Sequence, residues 1–242
     1  MSEIKLKKLI VSNDRVDYWF SVTEDLKRFF KQPMHMFAQY DRCIERVPES
    51  ILVIPFLGNV MQIAWLTDAE VHIGEVDREF FHSLKRLRDA YQKMYPNCPL
   101  GGKLFAECRN NGTYSSVKSA QMFTGGMDAV TTFIRHADEK PLLILEYGFY
   151  QDKLVEQGTY SDDAKSERNF VSDRGAATEF AQAHGTSTAF IRANYGTFIN
   201  TAVLDKRFAS QMGDDFWHGL HHAMAILGAA APVAYLEGIQ PL

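Results

Sequence analysis

The sequence predicts an α/β protein: a parallel sheet with helices on both faces, preceded by a smaller α/β unit. Two observations predict it. Runs of strand length alternate along the chain with segments of helical spacing. The later strands are continuously apolar, as strands covered on both faces are. The 242 residues suffice for one large domain or two, and 46% hydrophobic with 23% charged residues excludes a disordered or fibrous chain.

Lys5 to Val11 and Val16 to Val22 read as strands, with Ser12-Asn13-Asp14 between them as turn chemistry. Ile51 to Ile54 reads as a short strand checked by Pro55. Phe56 to Leu66 carries apolar residues at 56, 57, 60, 61, 63 and 64, a helical spacing. Val71 and Ile73 alternate with polar neighbours, as in a half-buried strand. From Asp77, an N-cap, Phe80, Leu84, Leu87, Tyr91 and Met94 form one helical face that Pro96 ends.

The densest cluster of breakers runs from Tyr95 to Gly102, and a boundary is expected there or at the Asn111-Gly112 turn, dividing the chain into 1–112 and 113–242. Beyond it Val117 to Phe123 reads as a central parallel strand, Met127 to His136 as a helix and Leu142 to Glu146 as an apolar strand. Residues 151–173 are polar and long for a connection: an insertion, a lid or a mobile loop. Asp173 to His184 is a helix ended by Gly185. Thr188 to Arg192 is a strand, Asp214 to Leu227 a helix, and Val233 to Leu236 a last strand.

Lys plus Arg number 26 against 30 for Asp plus Glu, a net charge of −4. Nucleic acid is therefore not an expected partner of the chain as a whole, although a local basic patch is compatible with that balance. Cys43, Cys98 and Cys108 offer no C-x-x-C pair and read as reduced thiols of a cytoplasmic protein. The N-terminus leads into no signal-type apolar core. Ala223 to Leu236 is short for a bilayer and contains Pro232, so no membrane span is expected.

The most informative residues are Phe123-Thr124-Gly125-Gly126-Met127-Asp128-Ala129, where a strand ends and a helix begins. First-turn amides are unpaired, the helix dipole is positive there, and two glycines let the backbone approach an anion, so a phosphate fits. Asp128 can cap the amides or help hold a Mg²⁺ that neutralises the phosphates. A tight Gly-Gly turn with Asp128 as a plain cap is the competing reading. Gly101-Gly102-Lys103 is not a Walker A loop, and no G-x-G-x-x-G occurs.

The run FTGGMDAVTTFIRH resembles the S-G-G-x-D-S signature of the PP-loop, or N-type ATP pyrophosphatase, superfamily, found in asparagine synthetase and 7-cyano-7-deazaguanine synthase. The resemblance covers about residues 115 to 236. It implies a HUP-like nucleotide-binding domain in 113–242, with 1–112 as an accessory domain. It implies ATP at the glycine turn, held by Phe123, Thr124, Gly125, Gly126, Met127, Asp128 and Ala129 together with Glu146, and Mg²⁺ on Asp128. AMP would pass to a carboxylate or carbonyl oxygen of a small-molecule substrate, with pyrophosphate released and an amidation or similar transfer following. Thr124 keeps the hydroxyl of the first serine; Ala129 lacks that of the last, a loss of about 1 to 3 kcal/mol of phosphate binding.

Larger members continue beyond the point matching Leu236. Their missing groups are expected from 1–112, from 151–173, or from a partner subunit or second copy; otherwise the chain is a non-catalytic nucleotide-binding or scaffolding subunit. No cysteine follows Met1, so an amidotransferase of the Cys-nucleophile kind is not expected.

His218 and His222 share a helical face opposite Leu220, Met224 and Leu227, with His221 between them. Their i, i+4 spacing suits a metal, but no H-E-x-x-H surrounds them and no third ligand is evident, which favours packing or a substrate contact. His218 joins Asp128 as a candidate catalytic residue. Asp162-Asp163 and Asp214-Asp215 read as solvated acids or caps. Arg192 and Asn194 end a strand on the side where α/β sheets bind ligands.

Overall fold

The computed structural model describes residues 1–112, 118–149 and 163–239, with nothing stated of the side chains of 163–167. The Ser12–Arg15 turn closes an antiparallel hairpin of β1 (Glu3–Ser12) and β2 (Arg15–Val22), and β3 (His35–Tyr40) extends it. β4 (Glu70–Asp77) and β5 (Lys103–Arg109) add parallel strands outside β1. On the other side β8 (Thr188–Ala193) pairs antiparallel with β3, and β7 (Leu142–Tyr147) and β6 (Ala120–Met122) continue in parallel. The result is one eight-stranded mixed sheet, β5-β4-β1-β2-β3-β8-β7-β6, to which both 1–112 and 113–242 contribute.

The helices are α1 (Glu49–Leu52), α2 (Ile54–Thr67), α3 (Arg78–Met94), α4 (Met127–Arg135), α5 (Asp163–His184), α6 (Tyr195–Phe198), α7 (Thr201–Met212) and α8 (His222–Glu237). Strand alternation sorts the side chains into two cores. Val16, Tyr18 and Phe20 of β2, with Met36, Ala38 and Tyr40 of β3, face the main core beside α2 and α8. Phe123, Leu143, Leu145 and Phe190 face the other way, into a smaller core closed by Phe133 of α4 and Phe170, Ala177 and Ala181 of α5. Among the described residues, that second layer packs against β6, β7 and β8.

Every residue from Ile54 to Leu66 of α2 is buried. Its polar members bond within the helix: Asn59 Nδ2 donates to the Pro55 carbonyl and Gln62 Nε2 to the Gly58 carbonyl. α8 lies close against it. A Cβ on Gly58 would stand 2.5 Å from the Met224 carbonyl oxygen, so only glycine permits the approach. Trp217–Glu237, which contains α8, is the one described stretch long and apolar enough to cross a membrane, and more than half of it is buried inside this fold.

Several expectations are corrected. Ile51 to Ile54 is not a strand but the end of α1 and the start of α2. A helix apolar on all sides shows no amphipathic period, and here Pro48 and Pro55 open helices rather than stop a strand. Val233 to Leu236 belongs to α8, which runs through Pro232. The proline forfeits the bond to the Gly228 carbonyl, but packing against α2 keeps the helix intact.

The strand before the glycine turn is not central. It is the three-residue β6 at the end of the sheet, bonded to β7 and otherwise making an isolated bridge from Lys118 to Ile239. The N-terminal meander takes the place beyond β8, which leaves β6 at the rim; Val117 lies outside the described residues. Of the expected lid, 150–162 lie outside the described residues, and α5 begins at Asp163 rather than Asp173. β3 and β5 are additional strands. The Asp77 cap is as expected, its Oδ1 accepting the Phe80 amide at 3.0 Å.

Candidate functional site

β6, β7 and β8 run parallel, so the segments that follow them emerge at one end of the sheet, the end where α/β sheets bind ligands. The glycine turn follows β6. Phe123 is buried and its amide donates to the Ile144 carbonyl, which pins the start of the turn to β7. Gly125 has φ +77°, and a Cβ built there meets nothing within 4 Å: the turn is strained for other residues and open to solvent. Gly126 is the extended residue before α4 and offers no side-chain cap. The Asp128 carboxylate folds back over it, 2.9 Å from where a Cβ would be, and accepts no hydrogen bond among the described residues. The plain-cap geometry is therefore not formed. Thr124, Met127 and Asp128 are exposed, whereas Ala129 is buried in the smaller core.

Glu146 lies on β7, between core positions, with its side chain on the main-core side. Both carboxylate oxygens are buried and neither closes a hydrogen bond of ordinary geometry. Burial holds this carboxyl well above the usual range, opposed only by the Tyr195 hydroxyl aimed at it. Burial likewise raises the Tyr195 phenol, with the neighbouring carboxyl adding to the effect.

Two glycines seat this pair. A Cβ on Gly148 would fall 1.7 Å from Tyr195 Cζ, and one on Gly196 would fall 2.3 Å from the Phe149 ring. Each aromatic ring thus lies on the other segment's glycine, and the Gly196 amide donates to the Gly148 carbonyl at 2.9 Å. Trp217 stacks on Tyr195 at 6.0 Å and meets Phe149 at 5.6 Å, completing an aromatic roof over Glu146.

Beneath that roof His221 is fully buried, with its Nε2 2.7 Å from Asn59 Oδ1. Asn59 spends its Nδ2 on the Pro55 carbonyl, so its oxygen accepts and His221 donates from Nε2. Burial, then the nearby His222, push the imidazole down to about 3, so it is neutral at ordinary pH.

A π-helical turn, Trp217–His221, resets the phase of this segment. His221 turns inward, and Leu227, expected on the buried stripe, is 63% exposed. His218 is exposed. Its amide and Nδ1 both bond Asp215, whose carboxylate raises its pKa. Asp214, Asp215 and His218 bring potential ligand atoms within 4.8 Å of one another, but Asp215 is engaged as the cap of this turn. Asn194 is structural: its Oδ1 accepts the Phe37 amide and its Nδ2 donates to the His35 carbonyl, clamping β8 to β3. Arg192 lies over the Phe170 ring. A cavity of about 370 Å³ beside Leu26, Leu66 and Arg207 is lined by none of these residues.

The structure thus gathers the glycine turn, Glu146 and Tyr195 at the carboxyl ends of three adjacent strands. Sequence reasoning missed Tyr195, and it paired His218 with His222, whereas His221 is the histidine that turns inward. The paired glycines at 148 and 196 were the available signal, since close aromatic contact needs them. In comparisons with protein-family models, curated proteins and solved structures, the chain has no match.

Proposed function

We propose that the carboxyl ends of β6, β7 and β8 bind ATP with Mg²⁺ in the manner of the PP-loop proteins, in the cytoplasm. The protein then adenylates a carboxylate or carbonyl of a small-molecule substrate, and pyrophosphate leaves. The observation that carries this reading is the glycine turn: open space at Gly125, amides at the start of α4 with no side-chain cap, and an Asp128 carboxylate without a hydrogen-bond partner among the described residues. Backbone amides would take the phosphate oxygens, and Asp128 would share the metal that offsets their charge. Glu146, buried on the next strand with its pKa raised by that burial, places a carboxyl that holds its proton more tightly than usual close to where a bound group would lie. The three unpaired cysteines accord with a reducing compartment.

Titration calorimetry with Mg²⁺ and ATP tests the site. Asp128→Asn should weaken metal-dependent binding about tenfold while leaving the fold intact, because a ligand charge becomes neutral. Equal affinity of the two proteins overturns the phosphate site. A second reading, a nucleotide-binding subunit without turnover, is favoured by the absent hydroxyl at Ala129. Pyrophosphate release in the presence of candidate carboxylic acids separates the two.

A further inference from the structure

The sheet ends differently on its two sides. β6 is three residues long, and Lys118 beside it already bridges to Ile239. β5 is seven residues long and holds no proline, and the bulge in its pairing with β4 lies on β4, between His72 and Glu75. No described strand pairs with its outer edge. Short strands, prolines and bulges keep a sheet edge from joining another chain, and β5 has none of them.

Alternation fixes what lines that edge. The Lys103 amide donates to the Ala69 carbonyl at 3.1 Å, so Lys103, Phe105, Glu107 and Arg109 turn their backbone groups toward β4. Those of Leu104, Ala106 and Cys108 face outward, where a further strand would lie. The side chains of Lys103, Phe105, Glu107 and Arg109 are exposed on one face; Leu104, Ala106 and Cys108 are half-buried against the main core on the other. Phe105 is 43% exposed and lies parallel to His72 of β4 at 4.8 Å, which orients the ring while much of it stays in water. Lys103 has no ion pair among the described residues, and Glu107 meets Arg109 at 2.9 Å.

A second copy of β5 fits this edge in one register. An antiparallel pair sets outward backbone groups against outward ones, so the two-fold axis must pass through a residue. With the axis at Ala106, Lys103 faces Arg109 of the second copy; at Glu107, two carboxylates meet. At Leu104, Lys103 faces Phe105, and Glu107 has only Gly101 opposite it. At Phe105, Lys103 faces Glu107 on both sides of the axis, the two Phe105 rings meet, and Leu104 exchanges backbone hydrogen bonds with Ala106. That register alone joins opposite charges and apolar to apolar. We propose that β5 pairs antiparallel with β5 of a second copy about Phe105, so that two eight-stranded sheets become one continuous sheet. The contact is separate from the glycine turn and does not rest on the nucleotide reading. One strand pair makes a small interface, below about 1,200 Å², so a micromolar dissociation constant is expected.

Sedimentation velocity of the full chain from about 1 to 200 µM tests it, with a concentration-dependent shift from monomer to dimer expected. Lys103→Glu sets like charges together at both ends of the strand pair, as does Glu107→Lys, and each should weaken the dimer about a hundredfold. Mixing these two variants restores both opposite-charge pairs, so a dimer should return in the mixture. Phe105→Lys places two ammonium groups on the axis and should leave a monomer. All three side chains are exposed, and Arg109 keeps Glu75 when Glu107 is replaced, so unchanged circular dichroism is expected. A monomer throughout that range, a dimer indifferent to Phe105→Lys, or a mixture that stays monomeric overturns the proposal.

Discussion

His221 donates its Nε2 proton to Asn59 Oδ1 across 2.7 Å in the protein interior, while its Nδ1 has no hydrogen-bond partner among the described residues. The bond joins the π turn before α8 to the middle of α2 and fixes which tautomer the ring adopts. A neutral imidazole tolerates this site. A charged one does not, because no acceptor waits at Nδ1.

Acid stability should follow from that bond. The folded-state value, about 3, lies below the unfolded value of about 6.5, so the unfolded chain binds the extra proton between the two. Stability supplied by neutral His221 is therefore fully present above the unfolded value and is lost as pH falls toward 3. The slope reaches at most about 1.4 kcal/mol per pH unit. His221→Gln retains an N–H donor and removes the titration. Urea unfolding at several acid pH values should show a flatter profile for the variant; parallel profiles would exclude the assignment.

The approach of Gly58 to α8 makes a sharper test of packing. Gly58→Ala would press a methyl within 2.5 Å of a backbone oxygen, which must move, and the expected cost is about 3 kcal/mol. Gly228→Ala meets Gly58 Cα at 3.3 Å and gains helix propensity, so its net cost should be below about 1 kcal/mol. Thermal unfolding of both variants reads the difference. A larger loss in Gly228→Ala would contradict the helix contact described above.

What the sequence made legible follows from where water lies. β1, β2, β4, α3, α4, β7 and β8 each have one wet and one dry side, or a cap or turn residue in plain view, and their positions were read nearly as found. α1 and α2 are buried almost all round and α8 is apolar on nearly every side, so Ile51 to Ile54 and Val233 to Leu236 looked like strands. β5 alternates faintly, with Ala106 and Cys108 as its inward residues, and was hidden among breakers. The glycine turn was visible because glycine pairs before an apolar helix face have few purposes. Its rim position was not visible, because strand order depends on β3 meeting β8 across 150 residues of chain, roughly, and local pattern carries no such information. The Glu146 roof left only Gly148 and Gly196 as a trace in the sequence, because the pairing of those two segments depends on the same strand order.

The roof over Glu146 depends on Gly148 having no side chain. Gly148→Ala would place a methyl inside the Tyr195 ring, so the ring must leave its seat. Water would then reach the carboxyl, and its pKa should return toward the ordinary value, since burial is what raises it. Trp217, stacked on Tyr195, should report the displacement as a shift in tryptophan emission. Emission unchanged from the wild type would mean that the roof does not rest on this glycine.

Glu146 itself should govern the alkaline side of the stability profile. Its folded pKa is raised, so above the unfolded value of about 4.3 the folded chain keeps a proton that the unfolded chain has released. Stability is thus fully present below the unfolded value and is lost as pH rises toward the raised folded value. This sign is opposite to that of His221, and the two groups together should give a stability maximum between their limbs. Glu146→Gln keeps the shape, cannot ionise, and can accept from the Tyr195 hydroxyl through its amide oxygen. The variant should match the wild type near pH 4, roughly, and become the more stable of the two as pH rises. Denaturant unfolding of both proteins across that range measures the gap. A constant difference from acid to neutral pH would show that the carboxyl is hydrated in the folded state and that the aromatic roof does not close over it.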